Sequence, residues 1–126
     1  MTFKHILLID DDEEDQEIFQ DAIKTISSSV QYDYCNNAKD ALHKLMSDEL
    51  KPEVIFLDLN MPMMNGHEFL TLIKKDEHLS KIPVIIFSTA SNESIKQTVK
   101  ELGAYDFITK PIEFNKLIEL LKPFIS

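Results

Sequence analysis

A chain of 126 residues, 44% hydrophobic and 28% charged, has room for one ordinary globular domain with a real core and not for two. A formal charge of −9 with no offsetting cluster of Lys and Arg argues against direct contact with a nucleic-acid backbone. Cys35 is the only cysteine, which excludes an intramolecular disulfide or a thiolate metal cage, and no stretch approaches the roughly 20 apolar residues of a membrane span. A cytoplasmic protein with no membrane insertion is expected.

The first predicted strand covers residues 4–9, and its apolar run Ile6-Leu7-Leu8-Ile9 ends in three acids, Asp10, Asp11 and Asp12. Ile18, Phe19, Ala22, Ile23 and Ile26 then recur at helical spacing. Val30, Tyr32 and Tyr34 alternate with polar residues, so the strand over 30–35 is less apolar than the others and reads as an edge. Asn37 with Asp40 forms an N-cap with an acidic third position, opening a helix that carries Ala41, Leu42, Leu45 and Met46. The strand over 53–58 runs Val54-Ile55-Phe56-Leu57 into Asp58, and Phe69, Leu70 and Ile73 mark the helix after it. Pro83 opens the strand over 83–88, which ends at Ser88-Thr89, and a helix with Ile95, Val99 and Leu102 closes at Gly103. The last strand, 105–109, leads to Lys110, and Leu117, Ile118 and Leu121 give the final helix its apolar face.

Five apolar runs alternating with amphipathic helices are the signature of βα units on a parallel sheet. The less apolar second strand favours the order 2-1-3-4-5, which reverses between strands one and three. In open parallel sheets the ligand crevice lies outside the carboxyl ends of the strands at that reversal. Asp10, Asp11 and Asp58 therefore face one another there, with Thr89 and Lys110 on the same edge. Carboxylates brought together resist ionising unless a cation joins them, so the cluster asks for a hard divalent metal and a lysine. Mg²⁺ takes oxygen ligands in an octahedron: Asp11 and Asp58 supply carboxylates, Asp10 acts from farther out through water, and Asn60 offers its main-chain carbonyl. Asp12 reads instead as a helix cap. Asp58 is the best nucleophile for a phosphoryl group, since a carboxylate can form an acyl phosphate once both partners' charges are neutralised. Thr89 can donate to a phosphoryl oxygen, and Lys110 can pair with another oxygen or, before phosphorylation, with Asp58. His5, His43, His67 and His78 share no zinc-site spacing, Cys35 reads as a small buried residue, and Met61, Met63 and Met64 read as gap fillers under the loop after Asp58.

Four segments in order carry a resemblance: Ile6-Leu7-Leu8-Ile9-Asp10-Asp11-Asp12, Asp58-Leu59-Asn60-Met61-Pro62-Met63-Met64-Asn65-Gly66, Phe87-Ser88-Thr89-Ala90, and Gly103-Ala104-Tyr105-Asp106-Phe107-Ile108-Thr109-Lys110-Pro111. Over essentially residues 4–124 the chain resembles a receiver domain of the two-component response regulator family. The resemblance implies a flavodoxin-like α/β fold, a doubly wound five-stranded sheet with helices on both faces, as a single domain over residues 1–126. It implies Asp58 as phosphoacceptor, Mg²⁺ at Asp10, Asp11, Asp58 and the Asn60 carbonyl, and Thr89 and Lys110 as phosphoryl contacts. It also implies a cis Lys110-Pro111 bond. The chain departs at Phe107, where the family often has the Tyr that changes rotamer on activation; a phenyl ring can still turn inward but offers no hydroxyl.

The expected function is a phosphorylation-controlled signalling module, a phosphoacceptor that assists its own phosphorylation and dephosphorylation rather than a conventional turnover enzyme. A sensor histidine kinase or histidine phosphotransfer protein would donate, and the output protein is unknown. The competing readings are an aspartyl-nucleophile phosphatase, disfavoured because no second acid stands two residues past Asp58; an FMN module, disfavoured because no phosphate loop follows strand one; and a degenerate receiver, disfavoured by the intact acidic cluster.

Overall fold

The computed structural model describes residues 2–125. Its strands are β1 (His5–Ile9), β2 (Gln31–Cys35), β3 (Val54–Leu57), β4 (Val84–Ser88) and β5 (Asp106–Thr109), each within one residue of its expected limits. The helices between and after them are α1 (Glu13–Ile26), α2 (Ala38–Met46), α3 (Gly66–Lys75), α4 (Glu93–Glu101) and α5 (Phe114–Leu121), with short 3₁₀ turns at Leu79–Lys81 and Lys122–Phe124. All neighbouring strands are parallel, in the order β2-β1-β3-β4-β5.

The apolar runs explain which strands lie inside. β3 and β4 are buried along their whole length and β1 from its second residue, whereas β2 and β5 leave residues exposed, as edges do. Successive side chains point to opposite faces, so Leu7, Ile9, Ile55, Leu57, Val84 and Ile86 meet α2, α3 and α4 on one side. Ile6, Leu8, Val54, Phe56, Ile85 and Phe87 meet Phe19 and Ile23 of α1 and Leu117 and Leu121 of α5 on the other. Phe19 stands edge-on to both Phe56 and Phe87, with ring centroids 5.1 and 5.4 Å apart.

Caps fix where the helices begin. The Asp12 carboxylate accepts from the Glu14 and Asp15 N–H groups, and Asn37 accepts from Asp40 N–H as the sequence suggests. Asn65 and Glu68 form a reciprocal capping box at α3. Gly103, just past α4, has φ +102°, the left-handed turn its position calls for. Met61 is buried and Met64 partly so, as gap fillers should be. Met63 departs from that expectation: it is 85% exposed with φ 71°. It sits at the centre of a tight turn, in which Met64 N–H donates to the Pro62 carbonyl at 2.9 Å, and its side chain faces solvent.

A second departure concerns Lys110-Pro111. Among the described residues no peptide bond is cis, so the cis bond implied by the resemblance is corrected to trans. Trans is the lower-energy isomer even before proline, by about 0.5–1 kcal/mol, and Lys110 already reaches its carboxylate partners from it.

Candidate phosphoryl-acceptor site

The strand register brings the acids together. Ile9 pairs with Leu57, and Asp58 N–H donates to the Ile9 carbonyl at 3.0 Å, so the residues after β1 and β3 stand side by side. On the other flank of β3, Leu57 pairs with Ile86, and Lys110 N–H donates to the Ser88 carbonyl at 3.0 Å. One oxygen from each of Asp10, Asp11 and Asp58 lies within 4.8 Å of the others. Asp10 is fully buried, Asp58 is 6% exposed, and Asp11 opens to solvent.

Asp10 is held from every side. Its Oδ1 accepts from Asp12 N–H at 3.0 Å, its Oδ2 from Lys110 Nζ at 2.9 Å, and its carbonyl from Gln16 Nε2 at 2.7 Å. Gln16 is buried and also donates to Asn36 Oδ1 at 2.8 Å, tying the end of β1 to the loop after β2. Asp58 is held more loosely: Asn60 N–H donates to its Oδ1 at 3.4 Å, and Lys110 Nζ stands 3.6 Å from its Oδ2. Gly66 makes room for this loop. A Cβ there would stand 2.7 Å from the Asp58 carbonyl oxygen and 2.8 Å from Leu59 Cα.

Lys110 pairs with Asp58 as expected, but two carboxylates stand nearer. Its Nζ donates to Asp10 at 2.9 Å and to Asp15 Oδ2 at 2.8 Å. Asp15 is not among the residues that the sequence pattern singles out. Burial pulls the Lys110 ammonium towards neutrality, but its hydrogen bonds with Asp10 and Asp15 and the charge of Asp58 outweigh this and raise its pKa. Burial raises Asp10 above the ordinary carboxylate range against the opposing pull of Lys110. Burial likewise pushes Asp58 up to about 6, with Lys110 opposing and the charges of Asp10 and Asp11 adding to the rise. An all-oxygen donor set whose buried members resist ionising suits a hard divalent cation.

Thr89 is exposed at the end of β4, one strand over from Asp58. Its buried neighbour Ser88 turns its hydroxyl onto Ala90 N–H. Phe107 is half-buried against the α4 side of the core, with Lys96 Nζ 5.7 Å above its ring, while Tyr105 is exposed just before β5. His5 Nε2 lies 2.8 Å from Asp33 Oδ2, at the far end of β1 from the crevice. Cys35 is buried at the end of β2, as expected. Among the described residues, no helix is long and apolar enough to cross a membrane.

Comparison with known proteins agrees with this geometry. Residues 6–122 match the family model described as the response regulator receiver domain. A protein-glutamate methylesterase/protein-glutamine glutaminase of Treponema denticola is 51% identical over 81 residues, which cover 63% of this chain and 21% of that protein. The chain spans about a fifth to a third of the length of the first methylesterases it matches. The phosphorylated cyanobacterial phytochrome response regulator RcpA superposes with a TM-score of 0.87 at 28% identity, covering 97% of this chain and 91% of that one. The Mn²⁺-bound form of response regulator Rcp1 superposes with a TM-score of 0.81, also at 28% identity, covering 95% and 90%.

Proposed function

Because the chain belongs to the response regulator receiver domain family and is thereby a phosphorylation-controlled signalling module, we propose that Asp58 accepts a phosphoryl group from a histidine kinase or histidine phosphotransfer protein in a Mg²⁺-dependent reaction. The observation that carries the reading is Asp58 itself: a buried carboxylate at a central strand end, 3.6 Å from Lys110 Nζ and within a 4.8 Å cluster with Asp10 and Asp11. The similarity to a phosphorylated response regulator and to a Mn²⁺-bound one supports it.

Asp10, Asp11, Asp58 and the Asn60 main-chain carbonyl would hold Mg²⁺, which supplies the charge neutralisation that lets an anionic donor meet an anionic nucleophile. An Asp58 oxygen attacks phosphorus, an O–P bond forms as the donor's N–P bond breaks, and the released imidazole nitrogen takes a proton. Lys110 balances charge on the transferred group and Thr89 donates to one of its oxygens. Water attack on phosphorus later breaks the O–P bond and returns inorganic phosphate and the Asp58 carboxylate. The pKa of about 6 leaves Asp58 mostly ionised, and so nucleophilic, above neutrality. Output passes through α4, β5 and α5: Thr89 and Lys110 draw towards the new oxygens, shift the loops after β4 and β5, and give the Phe107 ring a second arrangement.

The test uses a small acyl-phosphate donor and mass spectrometry. One phosphoryl group is expected with Mg²⁺, none with EDTA, and none in Asp58→Asn. Labelling that survives either condition removes Asp58 from the role.

A further inference from the structure

Lys110 stands closer to Asp15 than to Asp58. Its ammonium hydrogen-bonds Asp15 at 2.8 Å and Asp10 at 2.9 Å, whereas Asp58, at 3.6 Å, is within charge range only. Resting on the phosphoacceptor reading of Asp58, we propose that Asp15 is a positioning residue that holds Lys110 back from the acceptor, so that a phosphoryl group must draw the ammonium out of an existing ion pair.

The two partners of Lys110 are not equivalent. Asp10 belongs to the carboxylates that converge within 4.8 Å, so a divalent cation there neutralises it. Asp15 lies outside that group of converging carboxylates. It sits in the first turn of α1, where the Asp12 cap fixes its main chain, since Asp12 Oδ1 accepts from Asp15 N–H at 3.3 Å. A capped first turn is a rigid mount, so the carboxylate stays in reach of Lys110 rather than following it. The Asp15 side chain is 33% exposed, so solvent screens the pair and limits its hold. The resting ammonium is thus divided between one carboxylate that the metal releases and one that it does not. Asp15 raises the threshold for activation without touching the transferred group.

The experiment measures the affinity for BeF₃⁻, a phosphoryl mimic, at saturating Mg²⁺ by calorimetric titration and by NMR shifts, because the chain has no tryptophan to report by fluorescence. Asp15→Asn keeps the shape and removes the charge; it should tighten BeF₃⁻ binding about two- to fivefold, the range for losing one partly exposed charged competitor. Glu14→Gln is the control. It removes the same charge from the neighbouring exposed position, where no contact with Lys110 exists, and should change affinity by less than about twofold because screening weakens its field. Thermal unfolding of both variants separates loss of fold from loss of the brake, since a purely structural role would shift unfolding and leave BeF₃⁻ affinity alone. Unchanged or weaker binding in Asp15→Asn overturns the assignment, as does equal tightening in both variants, which would be a general field effect. If the wild-type protein itself binds no BeF₃⁻, the phosphoacceptor reading and this inference fall together; normal wild-type binding with an unaffected Asp15→Asn removes only the latter.

Discussion

Asp58→Asn should make the metal-free protein more stable at neutral pH. The carboxylate has an ordinary pKa of 3.8 and rises in the folded protein to about 6, chiefly through burial. A carboxylate whose pKa is raised by folding contributes its full stability below pH 3.8, where both states are protonated, and loses it as pH rises through 6. At about 1.4 kcal/mol per pH unit, a rise of roughly two units makes the ionised side chain cost the fold about 3 kcal/mol at pH 7 to 8. Asparagine has nearly the same shape and no charge, and Lys110 keeps Asp10 and Asp15 when Asp58 is neutral. Urea unfolding in EDTA, followed by circular dichroism, should therefore show Asp58→Asn ahead by about 3 kcal/mol at pH 7.5 and by less than about 1 kcal/mol at pH 4. In melting temperature the neutral-pH gain corresponds to about 10 °C for a domain of this size. Mg²⁺ should narrow the gap, because it stabilises only the protein that binds it. A difference that does not vary with pH, or a loss of stability at pH 7.5, would refute the electrostatic account of the crevice.

Asp11→Ala should weaken Mg²⁺ binding by calorimetry far more than Asp12→Ala, whose main cost should be about 1 kcal/mol of stability from the lost α1 cap; equal Mg²⁺ affinities would place the metal elsewhere. Gly66→Ala should destabilise by more than about 2 kcal/mol and impair phosphorylation, since the added Cβ meets main-chain atoms of Asp58 and Leu59; a wild-type urea midpoint would contradict this. Met63→Asn should raise stability by about 0.5–1 kcal/mol, because asparagine tolerates the left-handed φ of 71° better, and an unfolding curve at or below wild type would count against it. Thr89→Ala should leave Mg²⁺ affinity intact while shortening the reach of BeF₃⁻-induced NMR shifts from Asp58 towards residues 89–110; undiminished shifts would show that the switch does not pass through Thr89.

β1, β3 and β4 were legible because their apolar runs are continuous and end abruptly in polar residues, which locates each carboxyl end to within a residue. The order was legible because β2 alone alternates. Asp10, Asp11 and Asp58 follow from those two facts with little further input. Asp15 does not. It belongs to an unbroken acidic stretch from Asp10 to Asp15, and which of those acids meets Lys110 depends on where α1 starts and how its first turn is rotated. Gln16 is hidden for the same reason: a polar side chain at that spacing looks like a solvated helix face, yet it is buried on the Asp10 carbonyl.

The division of Lys110 among three carboxylates has a consequence for encounter rates. The rim of the crevice carries exposed Asp11, Asp12, Glu13 and Glu14, and its nearest cation is already engaged by Asp10 and Asp15, so the mouth of the site presents a negative potential on a chain of charge −9. A small anionic donor approaches uphill, and added salt, by shortening the roughly 10 Å Debye length at 0.1 M, speeds its arrival. A donor protein with a basic face approaches downhill and is slowed by the same salt. On the proposed phosphoacceptor role, ionic strength should therefore act with opposite sign on a small anionic donor and on a donor protein with a basic face.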